Sequence, residues 1–170
     1  MKARFALTFL PCFAVLLVLW QLSNFGAHYR QAVLTIVQVL SPLTNGWTLQ
    51  FEPAVSGAAV FRAANLQLPL VLQLPALSMA LVPFASLVVA TPGQTPVRVG
   101  LNVVGGSLVY FVLHVVIVLL YPFILTDPNF FKDTLGVFSG LMGFVVAPLA
   151  LWFVLTYPAL RSLWGLDRPR

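Results

Sequence analysis

Four stretches of this chain, residues 5–22, 68–90, 99–125 and 135–155, contain no aspartate, glutamate, lysine or arginine. A bilayer core about 30 Å thick takes roughly 20 apolar residues of helix, so each stretch is long enough to cross one. Lipid is therefore the solvent this sequence requires. The composition agrees, since 60% hydrophobic and 8% charged residues over 170 positions are far too apolar for a soluble globule. The fold class expected is an all-α membrane protein: a four-transmembrane-helix bundle forming one integral domain over residues 1–170, with a small extracytoplasmic segment at 27–67.

That segment has its own pattern. Between Ala27 and Leu43, the polar residues His28, Tyr29, Arg30, Gln31 and Gln38 interrupt Val33, Leu34, Ile36, Val37 and Leu40. One apolar face on a helix gives this spacing, which predicts an amphipathic helix lying on the outer membrane surface or against the bundle. Ser41-Pro42 and Asn45-Gly46 then break the chain. From Trp47 to Glu52 apolar and polar residues alternate with period two, and Gly57 marks a turn before Arg62, Asn65 and Gln67. A β-hairpin over 47–67 is the expectation.

The second stretch, 68–90, is read as a helix kinked by Pro69, Pro75 and Pro83, and it ends in the turn Thr91-Pro-Gly-Gln-Thr-Pro96. The third, 99–125, is long for one crossing and is expected to tilt. Lys2, Arg4, Arg98, Arg161, Arg168 and Arg170 fall on one side of this arrangement, against Arg30, Arg62 and Lys132 on the other. Positive charge concentrates on cytoplasmic loops, so both termini are placed in the cytoplasm of a bacterial inner membrane. Trp20, Trp47, Tyr121, Trp152, Tyr157 and Trp164 fall mostly near helix ends, where interfacial aromatics gather. Residues 5–22 read as an anchor, because Phe25 spoils the small-residue cleavage pattern before Ala27. The net charge of +5 is spread too thinly to form a nucleic-acid surface, and the bilayer and a larger membrane protein are the partners expected.

Chemistry-bearing residues are few. The single cysteine, Cys12, excludes an intramolecular disulfide and a cysteine-based zinc cage. A thiol-based acyl transfer would need Cys12, His114 and an arginine together, yet Cys12 belongs near the cytoplasmic side and His114 near mid-membrane or beyond, with no arginine inside a span. His114 and Asn102 are the intramembrane polar candidates. A lone imidazole also serves simply to bond a neighbouring helix, which is the reading preferred here. Gly136, Ser139, Gly140 and Gly143 put small residues on one face of the last stretch and suit close helix packing. The sequence offers no catalytic set, no cofactor site and no metal-ligand cluster.

Three segments carry a resemblance to a known family: Pro11-Cys12-Phe13 with Trp20, Leu68-Pro69-Leu70, and Gly143-Phe-Val-Val-Ala-Pro148-Leu-Ala-Leu-Trp152. In that order, and over about half the chain, they resemble the exosortase H-associated membrane proteins, small companions of a bacterial protein-sorting transpeptidase. The resemblance implies an accessory protein without catalytic residues of its own. The function expected is thus a non-enzymatic accessory or scaffolding subunit of an inner-membrane complex. A small membrane enzyme or transporter using His114, and a pigment- or cofactor-binding subunit in which His114 ligates a haem or chlorin, are the alternatives.

Overall fold

A computed structural model describes residues 2–41, 48–51, 58–62, 70–73, 78–126 and 129–163. The first helix, α1 (Lys2–Leu22), is uncharged from Phe5 onward and carries Pro11 in its interior. Two residues later α2 (Phe25–Leu40) begins, and it buries Gly26, Val33, Leu34 and Val37 while His28, Gln31, Thr35 and Gln38 face outward and Tyr29 and Arg30 are half-buried. Burial at i, i+1 and i+4 is the single apolar stripe that the sequence spacing predicts for an amphipathic helix.

Three short strands follow: β1 (Thr48–Phe51), β2 (Ala58–Arg62) and β3 (Leu70–Gln73). They form one antiparallel sheet in the order β1-β2-β3, with Thr48 opposite Arg62 and Val60 opposite Val71. The alternating segment at 48–51 is thus a strand paired with β2, as the hairpin reading requires. Residues 42–47, 52–57 and 63–67 of the expected outer segment, and 68–69 and 74–77 of the expected second span with its Pro69 and Pro75, lie outside the described residues. The third strand is a correction, because residues 70–73 were expected to be helical. The five residues between Pro69 and Pro75, apolar but for Gln73, make a short run bounded by residues that withhold backbone donors, and antiparallel pairing of Leu70–Gln73 with β2 supplies the hydrogen bonds a helix would have made.

The helix expected over 68–90 is correspondingly shorter. Ser78 and Met79 are helical, and α3 proper runs from Leu81 to Ala90. Pro83 falls in its first turn, where a missing N–H costs no intrahelical bond. Across the turn 91–95 the chain enters α4 (Pro96–Leu125), a helix of 30 residues. Its start shows why: the Thr95 hydroxyl accepts from the Arg98 N–H, and Pro96 occupies the first helical position. The last stretch comprises α5 (Phe130–Leu141), a π turn at Met142–Val146 and α6 (Ala147–Leu163), which together make one uninterrupted helical run. The Asn129 side chain caps its start by accepting from the Lys132 N–H at 3.0 Å.

Two helical segments, Phe5–Leu22 and Pro96–Leu125, are long and apolar enough to cross a membrane by length and composition. At about 1.5 Å per residue α3 spans only about 15 Å. By the same measure α4 spans about 45 Å, well beyond the hydrocarbon core. It consequently serves two cores along its length. On its earlier turns Tyr110 packs with Ala80, Leu81, Phe84 and Val88 of the α3 region, flanked by Trp20, Leu151 and Trp152. On its later turns Val115, Ile117 and Val118 pack with Val33, Leu34 and Val37 of α2 and with Ala59 and Phe61 of β2. The sheet is tied to the same end of α4 by the Tyr121 hydroxyl, which donates to the Val71 carbonyl at 3.1 Å.

Candidate functional site

Polar side chains are scarce in so apolar a chain, and two groups of the described ones join different helices, one at each end of α3. At its C-terminal end Trp152 Nε1 donates to Thr91 Oγ1 at 2.7 Å, and Thr91 Oγ1 donates to the Leu87 carbonyl. Gln94 Nε2 donates to the Val88 carbonyl at 3.0 Å. Asn102, singled out from the sequence, donates through Nδ2 to Gln94 Oε1 at 2.7 Å and to the Leu155 carbonyl at 3.2 Å. These bonds staple the 91–95 turn to α4 and α6. Two of the carbonyls left open at the helix end, Leu87 and Val88, thereby find partners.

The second cluster lies where α2, the start of α3 and α4 meet. Tyr110 and His114 stand one turn apart on the same face of α4, and both side chains are fully enclosed. Tyr29 of α2 meets His114 edge-on, with ring centroids 5.8 Å apart, and its hydroxyl shares a 2.8 Å hydrogen bond with His114 Nδ1. Burial raises the Tyr29 phenol above its ordinary range, so the hydroxyl keeps its proton. The next residue, Arg30, reaches the start of the following helical segment, where Nη1 lies 3.5 Å from Ser78 Oγ as donor.

Three buried atoms of this cluster have no partner among the described residues: His114 Nε2, the Tyr110 hydroxyl and Arg30 Nε. Buried polar groups are normally satisfied, so three orphans in one neighbourhood distinguish this end of α3 from the other. The site offers hydrogen-bond donors and one fixed positive charge. It suits a polar atom that accepts, rather than a metal, and among the described residues no group of three or more histidine, cysteine or acidic side chains could hold an ion.

The other sequence-derived candidates fall elsewhere. Cys12 is a free, half-buried thiol on α1, while the described partners of His114 are Tyr29 and Tyr110. Gly136 lies against Ile124 of α4, where an added Cβ would stand 3.1 Å from Cγ2. Gly140 faces open space, Gly143 is buried, and the Ser139 hydroxyl donates to the Leu135 carbonyl. Sequence reasoning passed over Tyr29, Arg30, Ser78 and Tyr110 as site residues. The i, i+4 spacing of Tyr110 and His114 is the one signal that links two of them. The chain matches no family model, and neither curated proteins nor solved structures give a match.

Proposed function

We propose that this chain is a four-span protein of a bacterial inner membrane, with both termini cytoplasmic, working as a non-enzymatic accessory subunit beside a larger membrane protein. The observation that carries the membrane reading is the exposed surface. Leu7 on α1, Val97 and Leu101 on α4, and Phe130 and Val137 on α5 are each about two-thirds or more exposed. Aliphatic and aromatic surface on that scale is stable against lipid or a partner and not against water. The two further crossings are the run from α5 through α6 and, as a short one about 20 Å long, the helical residues 78–90. The basic residues Arg98 and Arg161 then share the cytoplasmic side with Lys2 and Arg4.

The accessory role is supported by how the polar residues are used. Asn102, Gln94, Thr91 and Trp152 join helices to one another, and the Tyr29–His114 bond fastens α2 to α4. In this reading the outer end of α4 is a post that holds α2 and the sheet clear of the lipid, where a partner or substrate meets them. The resemblance to exosortase H-associated proteins makes a protein-sorting transpeptidase the class of partner proposed. Purification of the tagged chain in mild detergent, after crosslinking in the native membrane, should yield a larger membrane protein in fixed stoichiometry. A monodisperse monomer, with abundance unchanged when neighbouring genes are deleted, would overturn the proposal.

A second reading, a small enzyme or transporter working through His114, is favoured by the orphaned His114 Nε2 and Tyr110 hydroxyl. Replacing His114 with leucine separates the two. Loss of abundance marks a fastening role, whereas unchanged abundance with lost phenotype marks chemistry at the imidazole.

A further inference from the structure

Both α1 and α4 pack on or beside α3, and its first turns form the floor of a groove between them. The groove encloses about 240 Å³ and is lined by Leu16, Leu19 and Trp20 of α1, Leu81 and Ala85 of α3, and Val103 of α4. Its walls are almost wholly apolar. Along α1 it runs from Leu16 to Ser23, about 10 Å at 1.5 Å per residue, which is most of the roughly 15 Å depth of one leaflet.

Polar groups collect at one end, where α1 turns into α2. Trp20 Nε1 and Arg30 Nη1 both approach the point where a Cβ on Gly26 would stand, at 3.0 and 3.2 Å. Gly26 leaves that point unfilled. Among the described residues Arg30 Nε is buried without a partner and the guanidinium meets no carboxylate, only the Ser78 hydroxyl. A guanidinium carries five donors in a planar fork that matches a phosphodiester, and holding it beside a closed apolar wall without an anion is costly. An apolar channel about 10 Å long, with the Arg30 guanidinium beside Trp20 at one end and no described carboxylate on it, has the charge pattern of an anionic lipid in reverse.

We propose that the groove between α1 and α4 holds one acyl chain of an anionic phospholipid from the outer leaflet, with the lipid phosphodiester on Arg30. A partner helix fits less well, because the charge stands at one end of the groove and not along its rim. The site depends on the membrane reading above and not on the accessory role. Carbonate resistance of the wild-type chain tests that reading separately.

Native mass spectrometry of the full chain in detergent, titrated with dioleoyl phosphatidylglycerol or dioleoyl phosphatidylcholine, reads the site directly. Phosphatidylglycerol should be retained at least about tenfold better, and Arg30→Gln should remove that preference while Arg30→Lys keeps most of it. Ala85→Phe, which fills the groove, should weaken retention of both lipids with helical content unchanged by circular dichroism. Equal retention of the two lipids by the wild type would overturn the proposal, as would undiminished phosphatidylglycerol retention by Arg30→Gln. Competition by inorganic phosphate as effective as that by the lipid would mark an anion site without an acyl chain. Loss of a co-purifying protein in Ala85→Phe, with lipid retention intact, would assign the groove to a partner helix instead.

Discussion

At the level of single residues, the tightest constraint is the contact between Gly106 and Phe84. A Cβ on Gly106 would lie 2.0 Å from Phe84 Cζ, and the ring is fully buried against Tyr110. Gly106→Ala must displace a phenyl group that has no free space, so a loss of about 1–3 kcal/mol is expected, read as a lowered unfolding midpoint in detergent. Gly140→Ala meets nothing within 4 Å and serves as the contrasting case, with a midpoint at or slightly above wild type. The Tyr29–His114 bond gives a second test. Tyr29→Phe leaves His114 Nδ1 buried and bare, a loss of about 1–3 kcal/mol, whereas combining it with His114→Phe removes both partners and should recover part of that loss. Purely additive losses in the double variant would show that the two side chains are not coupled.

Among the elements, legibility in the sequence followed the strength of local pattern. The stripe of Val33, Leu34 and Val37 was readable, because a helix half in contact with a core must repeat its apolar residues near every fourth position. The alternation at 48–51 was readable for the corresponding reason in a strand. Leu70–Gln73 was not, because three successive apolar residues before Gln73 show no period and the pairing with β2 is a tertiary choice. The π turn at Met142–Val146 left no local mark either. At the site, His114 stood out as an ionisable group in an apolar run, but its partner Tyr29 lies 85 residues away in sequence and only the packing of α2 on α4 brings them together. That packing should behave as a unit. Leu34→Ala removes a side chain enclosed by α2, β2 and α4, for an expected loss of about 2–5 kcal/mol in this core. Hydrogen exchange should then accelerate in α2 and the strands while α1 and α3 keep their protection. Equal acceleration throughout would mean that the two cores unfold together.

For the whole molecule, the length of α4 sets the geometry. A helix of 30 residues is about 45 Å long, so some 15 Å of it must leave a hydrocarbon core about 30 Å thick or tilt strongly within it. Its later turns carry α2 and the sheet, its earlier turns carry the α3 core, and the polar staple around Asn102 sits beside the 91–95 turn. In the proposed arrangement the end that bears an amphipathic helix and a sheet with polar strand edges lies outside the lipid, and the opposite end, with Arg98 and the turn, lies in the cytoplasm. The lone cysteine makes this testable, since Cys12→Ser gives a thiol-free background. In that background a cysteine at Gln31, exposed on α2, should react with a membrane-impermeant maleimide in intact spheroplasts. A cysteine at Pro92, exposed in the turn, should react only after the membrane is opened. Labelling in the reverse order would invert the molecule in the membrane, and prompt labelling at both positions in intact spheroplasts would remove the α3–α4 pair from it altogether.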